Sequence, residues 1–311
     1  MITSHPVRAL LASILMALLT TAASADDRTI FINEMTTQYG FEADFVSEVI
    51  GNAETKQSII DAMSRPAEKV KPWYEYRDIF ITDQRINEGV DFWNLREETL
   101  QQASERTGVP MRMIAGIIGV ETYYGRITGN YRVVDALSTL AFDYPPRAAF
   151  FRNELKEYFL LTREEQLSIE DTEGSYAGAM GPPQFIPSSY RAYAVDGDGD
   201  GRRDLLTNWD DILNSVGNYF KAHRWHNGEE VAMQATLPAG HPPLKSKNER
   251  KANKTLGELR GMGLLFESDL PDSTPANLIV LEGRAGPEYW IGLHNFYVIT
   301  RYNHSVMYGL A

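Results

Sequence analysis

The run PMRMIAGIIGVETYYG, residues 110–125, carries the reading on which the fold turns. Pro110 has no amide hydrogen to lose and suits the first turn of a helix. Ile114, Ile117, Ile118 and Glu121 then recur at i, i+3, i+4 and i+7, so three apolar side chains and one carboxylate share a helical face. Gly125 is the expected C-cap. Burial disfavours an ionised carboxylate, and the negative end of a helix pushes the same way, so Glu121 is suited to hold a proton near neutral pH and deliver it. The residues alone leave open a glutamate satisfied by a structural partner, or one that reaches water at the helix end.

Helical spacing extends outward on both sides. Ile86, Val90, Trp93 and Leu100 fall on one face of a helix that Gly108 and Pro110 stop. Pro145-Pro146 introduces another with Phe151, Leu155 and Tyr158 on one side, and Ile212, Val216, Tyr219 and Phe220 repeat the pattern. After Gly228 the character changes: Val231–Leu237 alternates, and Asn277–Leu281 and Tyr289–Leu293 are β-prone. The expected class is mainly α (α+β), a helical body with a small β element near 229–293. Pro238–Lys254, polar and basic with prolines, reads as a mobile surface loop.

The N-terminus reads as an address. Arg8 precedes the apolar run Ala9–Leu19 and the small residues Ala22-Ala23-Ser24-Ala25, so 1–25 is the expected signal peptide, cleaved after Ala25, and 26–311 the mature domain. The run is too short for a comfortable membrane span. There is no cysteine, so stability must come from a core rather than disulfides, and no lipidated cysteine can tether the chain. The net charge of −12 argues against a nucleic-acid partner, which needs a basic stripe to displace counterions.

Asp196-Gly197-Asp198-Gly199-Asp200-Gly201 fits the start of an EF-hand loop, with carboxylates at positions 1, 3 and 5, a turning glycine at 6, and the Arg202 carbonyl at 7. Position 12 is Thr207, not a bidentate glutamate. A solvated acidic turn without metal is the alternative.

Several blocks, in order, resemble the membrane-bound lytic transglycosylase B family: Ile118-Gly119-Val120-Glu121-Thr122 with Gly125-Arg126, Asp135–Leu140, Gly174–Gly181, Gln184–Tyr190, Asn218–His223 and Ile299–Ser305. The resemblance runs from about Phe31 to the C-terminus. It implies a lysozyme-like helical core and aligns Glu121 with the family's single catalytic glutamate. Ser175 and Gln184 align with residues that touch that glutamate or the substrate, and Tyr219, Tyr302 and Tyr308 with tyrosines lining the groove. From the residues alone, Ser175 and Gln184 are equally loop side chains satisfied locally, and the tyrosines core or a C-terminal tuck. The resemblance further implies a lengthened metal loop, closed by Asp210 or Asp211, holding a structural Ca²⁺ that takes no part in the chemistry, with no cofactor for catalysis. The implied partners are peptidoglycan glycan strands, and the implied setting is the periplasm, without a stable membrane anchor.

Two departures from the family stand out: Pro182-Pro183 before Gln184, which removes two amide donors, and the missing lipidation cysteine. Glycosidases ordinarily pair two carboxylates. No second one announces itself, since Asp135 reads as a helix N-cap. The family mechanism uses one glutamate, with the acetamido group and C6 hydroxyl of N-acetylmuramic acid completing the reaction as a 1,6-anhydro ring. A muramidase using water and an inactive glycan-binding scaffold are the competing readings.

Overall fold

The computed structural model describes residues 26–65 and 71–311. The expected signal peptide, 1–25, lies outside the described residues. The chain divides into two compact units.

Among the described residues, the first unit comprises 26–64, with 129–180 and 185–191. It contains helix α1 over 26–39, α2 (Ala43–Asn52), α3 (Gln57–Ser64), α7 (Val133–Phe142) and α8 (Ala148–Glu165). Strands β1 (Tyr131–Arg132) and β2 (Glu173–Gly174) pair antiparallel. All ten residues of α7 are buried, which makes it the axis of this unit. Phe151, Leu155 and Tyr158 turn inward from α8, as their spacing predicts. Asp135 is the third residue of α7, not its N-cap, a position that falls to Arg132. Its fully buried carboxylate reaches back to the α2–α3 connection, where it accepts the Glu54 amide at 2.9 Å and faces Lys56 at 3.6 Å.

The second unit comprises residue 65, 71–128, 181–184 and 192–311. It holds α4 (Trp73–Phe80), α5 (Asp83–Thr107), α6 (Met111–Thr122) and α10 (Trp209–Ala222). The boundary between units falls within α9 (Pro187–Tyr193). Thr82 caps α5 by accepting the Arg85 amide, and Gly108 ends it in the left-handed conformation. The inward face differs from the expected one. Ile86 and Val90 are more than half exposed, and Phe92, Leu100 and Ala103 face the core. The helix is interrupted at Arg96, whose φ of −119° is non-helical, so one continuous periodicity does not describe both halves.

The sheet follows the β-prone runs closely. β3 (Ala232–Ala235), β4 (Lys254–Thr255), β5 (Pro275–Gly283) and β6 (Gly286–Gly292) lie in the order β3-β6-β5-β4, all antiparallel, with Val280 opposite Tyr289. The segment Pro238–Lys254, read as a mobile surface loop, lies along β5. Asn248, at φ 52°, completes a strand-like pair with Val280, donating to its carbonyl at 2.9 Å and accepting its amide at 2.8 Å. Short helices α11 (Leu256–Gly261), α12 (His294–Tyr302) and α13 (Val306–Leu310) complete the chain.

Candidate active site and acidic loop

Ile114, Ile117 and Ile118 are buried, and Glu121 at the end of their stripe is only partly so. The stripe opens because the helix stops one residue later. The cap is Tyr123, not Gly125: Tyr123 and Tyr124 are left-handed at φ 54° and 60°. Such a conformation costs a non-glycine residue roughly 1–2 kcal/mol, and tertiary contacts hold it here. The Tyr124 ring occupies a slot that exists because residues 89 and 119 are glycines: a Cβ would lie 2.3 Å and 2.8 Å from it. The ring also stacks on Phe92. Arg85 donates to the Gly119 carbonyl at 2.6 Å and lies over the Tyr123 ring at 4.3 Å, placing a cation at the negative end of α6. Gly125 is itself left-handed, with Trp209 2.9 Å from where its Cβ would stand.

Tyr308, on α13, donates its hydroxyl to Oε1 of Glu121 at 2.6 Å, across 187 residues of sequence. Burial, and then the Glu121 charge, hold this phenol well above its ordinary range, so it remains a donor. Tyr302 is raised for the same two reasons in the same order. Its hydroxyl donates to the Pro183 carbonyl at 2.6 Å, and its ring meets Tyr219 at 4.8 Å. Tyr219 donates to the Arg301 carbonyl at 2.7 Å, and burial raises its pKa. Both hydroxyls are engaged on backbone, and the Tyr219 ring is buried, stacked on His223 at 4.1 Å as well as meeting Tyr302. Tyr76, on α4, acts electrostatically on Tyr308 and joins this group without having been singled out in the sequence.

The Pro182-Pro183 turn supplies acceptors where it lacks donors. Thr122, next to Glu121, donates its hydroxyl to the Pro182 carbonyl at 2.9 Å. Gln184, left-handed at φ 52°, donates its side-chain amide to the Gly181 and Thr128 carbonyls at 2.9 and 3.0 Å, which leaves Oε1 as its acceptor. Gly181 is obligatory: a Cβ would fall 1.9 Å from the Leu205 carbonyl oxygen. Glu121, Gln184, Tyr219, Tyr302 and Tyr308 thus belong to one unit. Ser175 belongs to the other, where its Oγ accepts the Ala177 and Ala179 amides at 3.3 and 3.1 Å, and its proton remains available.

In the acidic loop, Asp196, Asp198 and Asp211 each bring a carboxylate oxygen within 4.8 Å of the others. Asp196 accepts the Gly199 and Gly201 amides. Asp211 is fully buried and accepts the Gly197 and Asp204 amides at 2.7 and 2.6 Å. Burial raises its pKa foremost, and the Asp198 and Asp196 charges push the same way. Three carboxylates facing one another, one of them desolvated, fit a divalent cation that would neutralise them. Asp200 accepts the Arg202 amide and stands outside this cluster, as does Asp210, which accepts the Thr99 hydroxyl at 3.1 Å.

The transglycosylase SLT domain family matches residues 24–311. The membrane-bound lytic murein transglycosylase B of Escherichia coli (strain K12) is 42% identical over 292 residues, covering 90% of this chain and 79% of its own. The crystal structure of soluble lytic transglycosylase SltB1 from Pseudomonas aeruginosa superposes with a TM-score of 0.84 at 50% identity, over 91% of this chain and 94% of its own. Escherichia coli lytic transglycosylase Slt35 in complex with calcium gives 0.82 at 40% identity, over 91% and 89%. No helix among the described residues is long and apolar enough to cross a membrane. With its helical fold and small antiparallel sheet, this chain belongs to the transglycosylase SLT domain family and is a lytic transglycosylase.

Proposed function

We propose that the enzyme cleaves the β-1,4 bond between N-acetylmuramic acid and N-acetylglucosamine in peptidoglycan strands, with Glu121 as both acid and base. The observation that carries this reading is the Tyr308 hydrogen bond to Oε1 of Glu121, which orients the carboxyl group at the open end of its helix. Protonated Glu121 gives its proton to the leaving oxygen of N-acetylglucosamine as the bond to C1 breaks. The neighbouring acetamido oxygen stabilises the positive charge at C1. Ionised Glu121 then takes the proton of the C6 hydroxyl, whose oxygen bonds to C1 and closes the 1,6-anhydro ring. Glu121 ends protonated, and no water is consumed. The tethered hydroxyl competes with bulk water because proximity gives it an effective concentration on the order of 10⁵ M or more.

Tyr308, protonated throughout, stabilises the carboxylate between the two steps. Gln184, through Oε1, is suited to accept from an acetamido N–H, and the family resemblance carries Ser175 as a substrate-binding residue. It carries Tyr219 and Tyr302 as tyrosines lining the groove. Asp196, Asp198 and Asp211 would hold a structural Ca²⁺, contributing charge neutralisation in the loop before α10 and nothing to bond cleavage. Residues 26–311 act as the mature enzyme, exported to the periplasm behind the leader at 1–25.

Glu121→Gln keeps the side chain's volume but cannot give up a proton in this way. Muropeptides released from sacculi by the wild type should end in 1,6-anhydro-N-acetylmuramic acid, one water lighter than hydrolytic ends and inert to borohydride. The variant should release essentially none while melting like the wild type. Substantial residual turnover in the variant, or reducible ends from the wild type, contradicts the assignment.

A further inference from the structure

A cavity of about 610 Å³ opens in the second unit beyond the C-terminus of α10, within the size range of small-ligand sites. Its lining combines apolar Leu270 and Leu293 with charges of both signs, Arg224 and Lys251 on one hand and Glu229 and Glu230 on the other. Glu229 is engaged by His226 at 2.9 Å, and the Lys251 ammonium lies over the Tyr297 ring. The Arg224 backbone is left-handed at φ 67°, a strained position for arginine, held by its amide bond to the Lys221 carbonyl and by its own carbonyl against His294. His294 stacks with His226, their centroids 3.9 Å apart, giving the wall a flat face.

The cavity adjoins the aromatic group beside Glu121 through one residue, His223. His223 lines it and stacks on Tyr219 at 4.1 Å, and Tyr219 meets Tyr302, which feels the Glu121 charge. We infer that this cavity receives the peptide stem of the peptidoglycan strand whose sugars lie at Glu121, an inference that rests on the lytic transglycosylase reading. The amino sugars offer little charge, whereas the stem carries free carboxylates, an ammonium on its diamino acid and small apolar side chains. Arg224 and Lys251 suit the carboxylates, Glu230 the ammonium, and Leu270 and Leu293 the alanine methyl groups.

The test uses the mature chain and a double charge reversal, Arg224→Glu with Lys251→Glu, at exposed positions. On glycan strands bearing stems, kcat/KM should fall about tenfold, mainly through KM. On the same strands stripped of peptide by an amidase it should change less than twofold. A free stem tetrapeptide titrated into Glu121→Gln protein, followed by NMR, reads the cavity without turnover and so stands apart from the catalytic assignment. It should shift resonances around His226 and His294, and the charge reversal should abolish those shifts. Equal losses on both kinds of strand, or no tetrapeptide binding at millimolar concentration, would overturn the inference.

Discussion

Tyr308→Phe removes one oxygen and nothing else, and that oxygen is the donor to Glu121 at 2.6 Å. The phenol is buried, so water cannot freely replace it. A hydrogen bond to a charged group contributes about 1.5–3 kcal/mol. If the bond is fully realised only when Glu121 is ionised, that energy enters the barrier, and about 1.4 kcal/mol corresponds to a tenfold change in rate. The expected loss in kcat is therefore roughly 10- to 150-fold, with a melting temperature close to that of the wild type. The sign on pH follows from the same bond. Tyr308 favours the carboxylate over the carboxylic acid, so without it the pH–rate profile should move to higher pH. Anhydromuropeptide release from sacculi, followed across pH by mass spectrometry with a thermal melt at each pH, separates the effects. A variant within twofold of wild type and unmoved in pH would refute the role given to this hydrogen bond.

Other expectations rest on single contacts. Ca²⁺ at one hundred times its Kd should stabilise the native state by about 2.7 kcal/mol over protein in chelator, and Asp211→Asn should abolish that gain in paired melts. Gly125→Ala meets both a φ of 84° and Trp209 at 2.9 Å, so it should destabilise by roughly 2 kcal/mol or more in urea unfolding, strain alone supplying about half. Glu154 is buried and accepts the amide and hydroxyl of Ser188 at 3.0 and 2.8 Å. Burial raises its pKa foremost, and the Ser188 bonds partly oppose it. A raised carboxyl favours folding below its unfolded value, and that favour is lost as pH rises through the folded value. Wild type should therefore gain stability relative to Glu154→Gln on acidification from neutral pH, measured by urea unfolding across the series. A constant difference between the two proteins would contradict this.

The sequence made visible what repeats locally and hid what depends on a partner. Helix α6 was legible because Ile114, Ile117 and Ile118 recur at its period and all three are buried. Ile86 and Val90 share such a spacing yet face outward, since periodicity identifies a face without saying what will cover it. Gly125 was a sound local choice for a cap and lost to Tyr123, because Gly89, 34 residues before Tyr123, leaves the slot that seats the Tyr124 ring. The Glu121–Tyr308 pair spans 187 residues, and only the matching blocks of a known family pointed toward it.

Asp210 and Asp211 show the limit most sharply, being adjacent, identical in chemistry and equally able to close the acidic loop on paper. Successive residues of a helix point about 100° apart, so only one can face the loop. The choice belongs to the rotation of α10 about its axis. Asn208 caps both the Asp210 and Asp211 amides and does not discriminate between them, whereas burial does, since Asp211 is fully buried and Asp210 is not. In the structure Asp211 turns inward and meets Asp196 and Asp198, while Asp210 is left to Thr99 on α5. The carboxylate that joins the acidic cluster is thus selected by how α10 is seated among its neighbours, every residue from Asp211 to Gly217 being buried. It is recoverable from sequence once the register of α10 against its neighbours is known, and not from the loop motif alone.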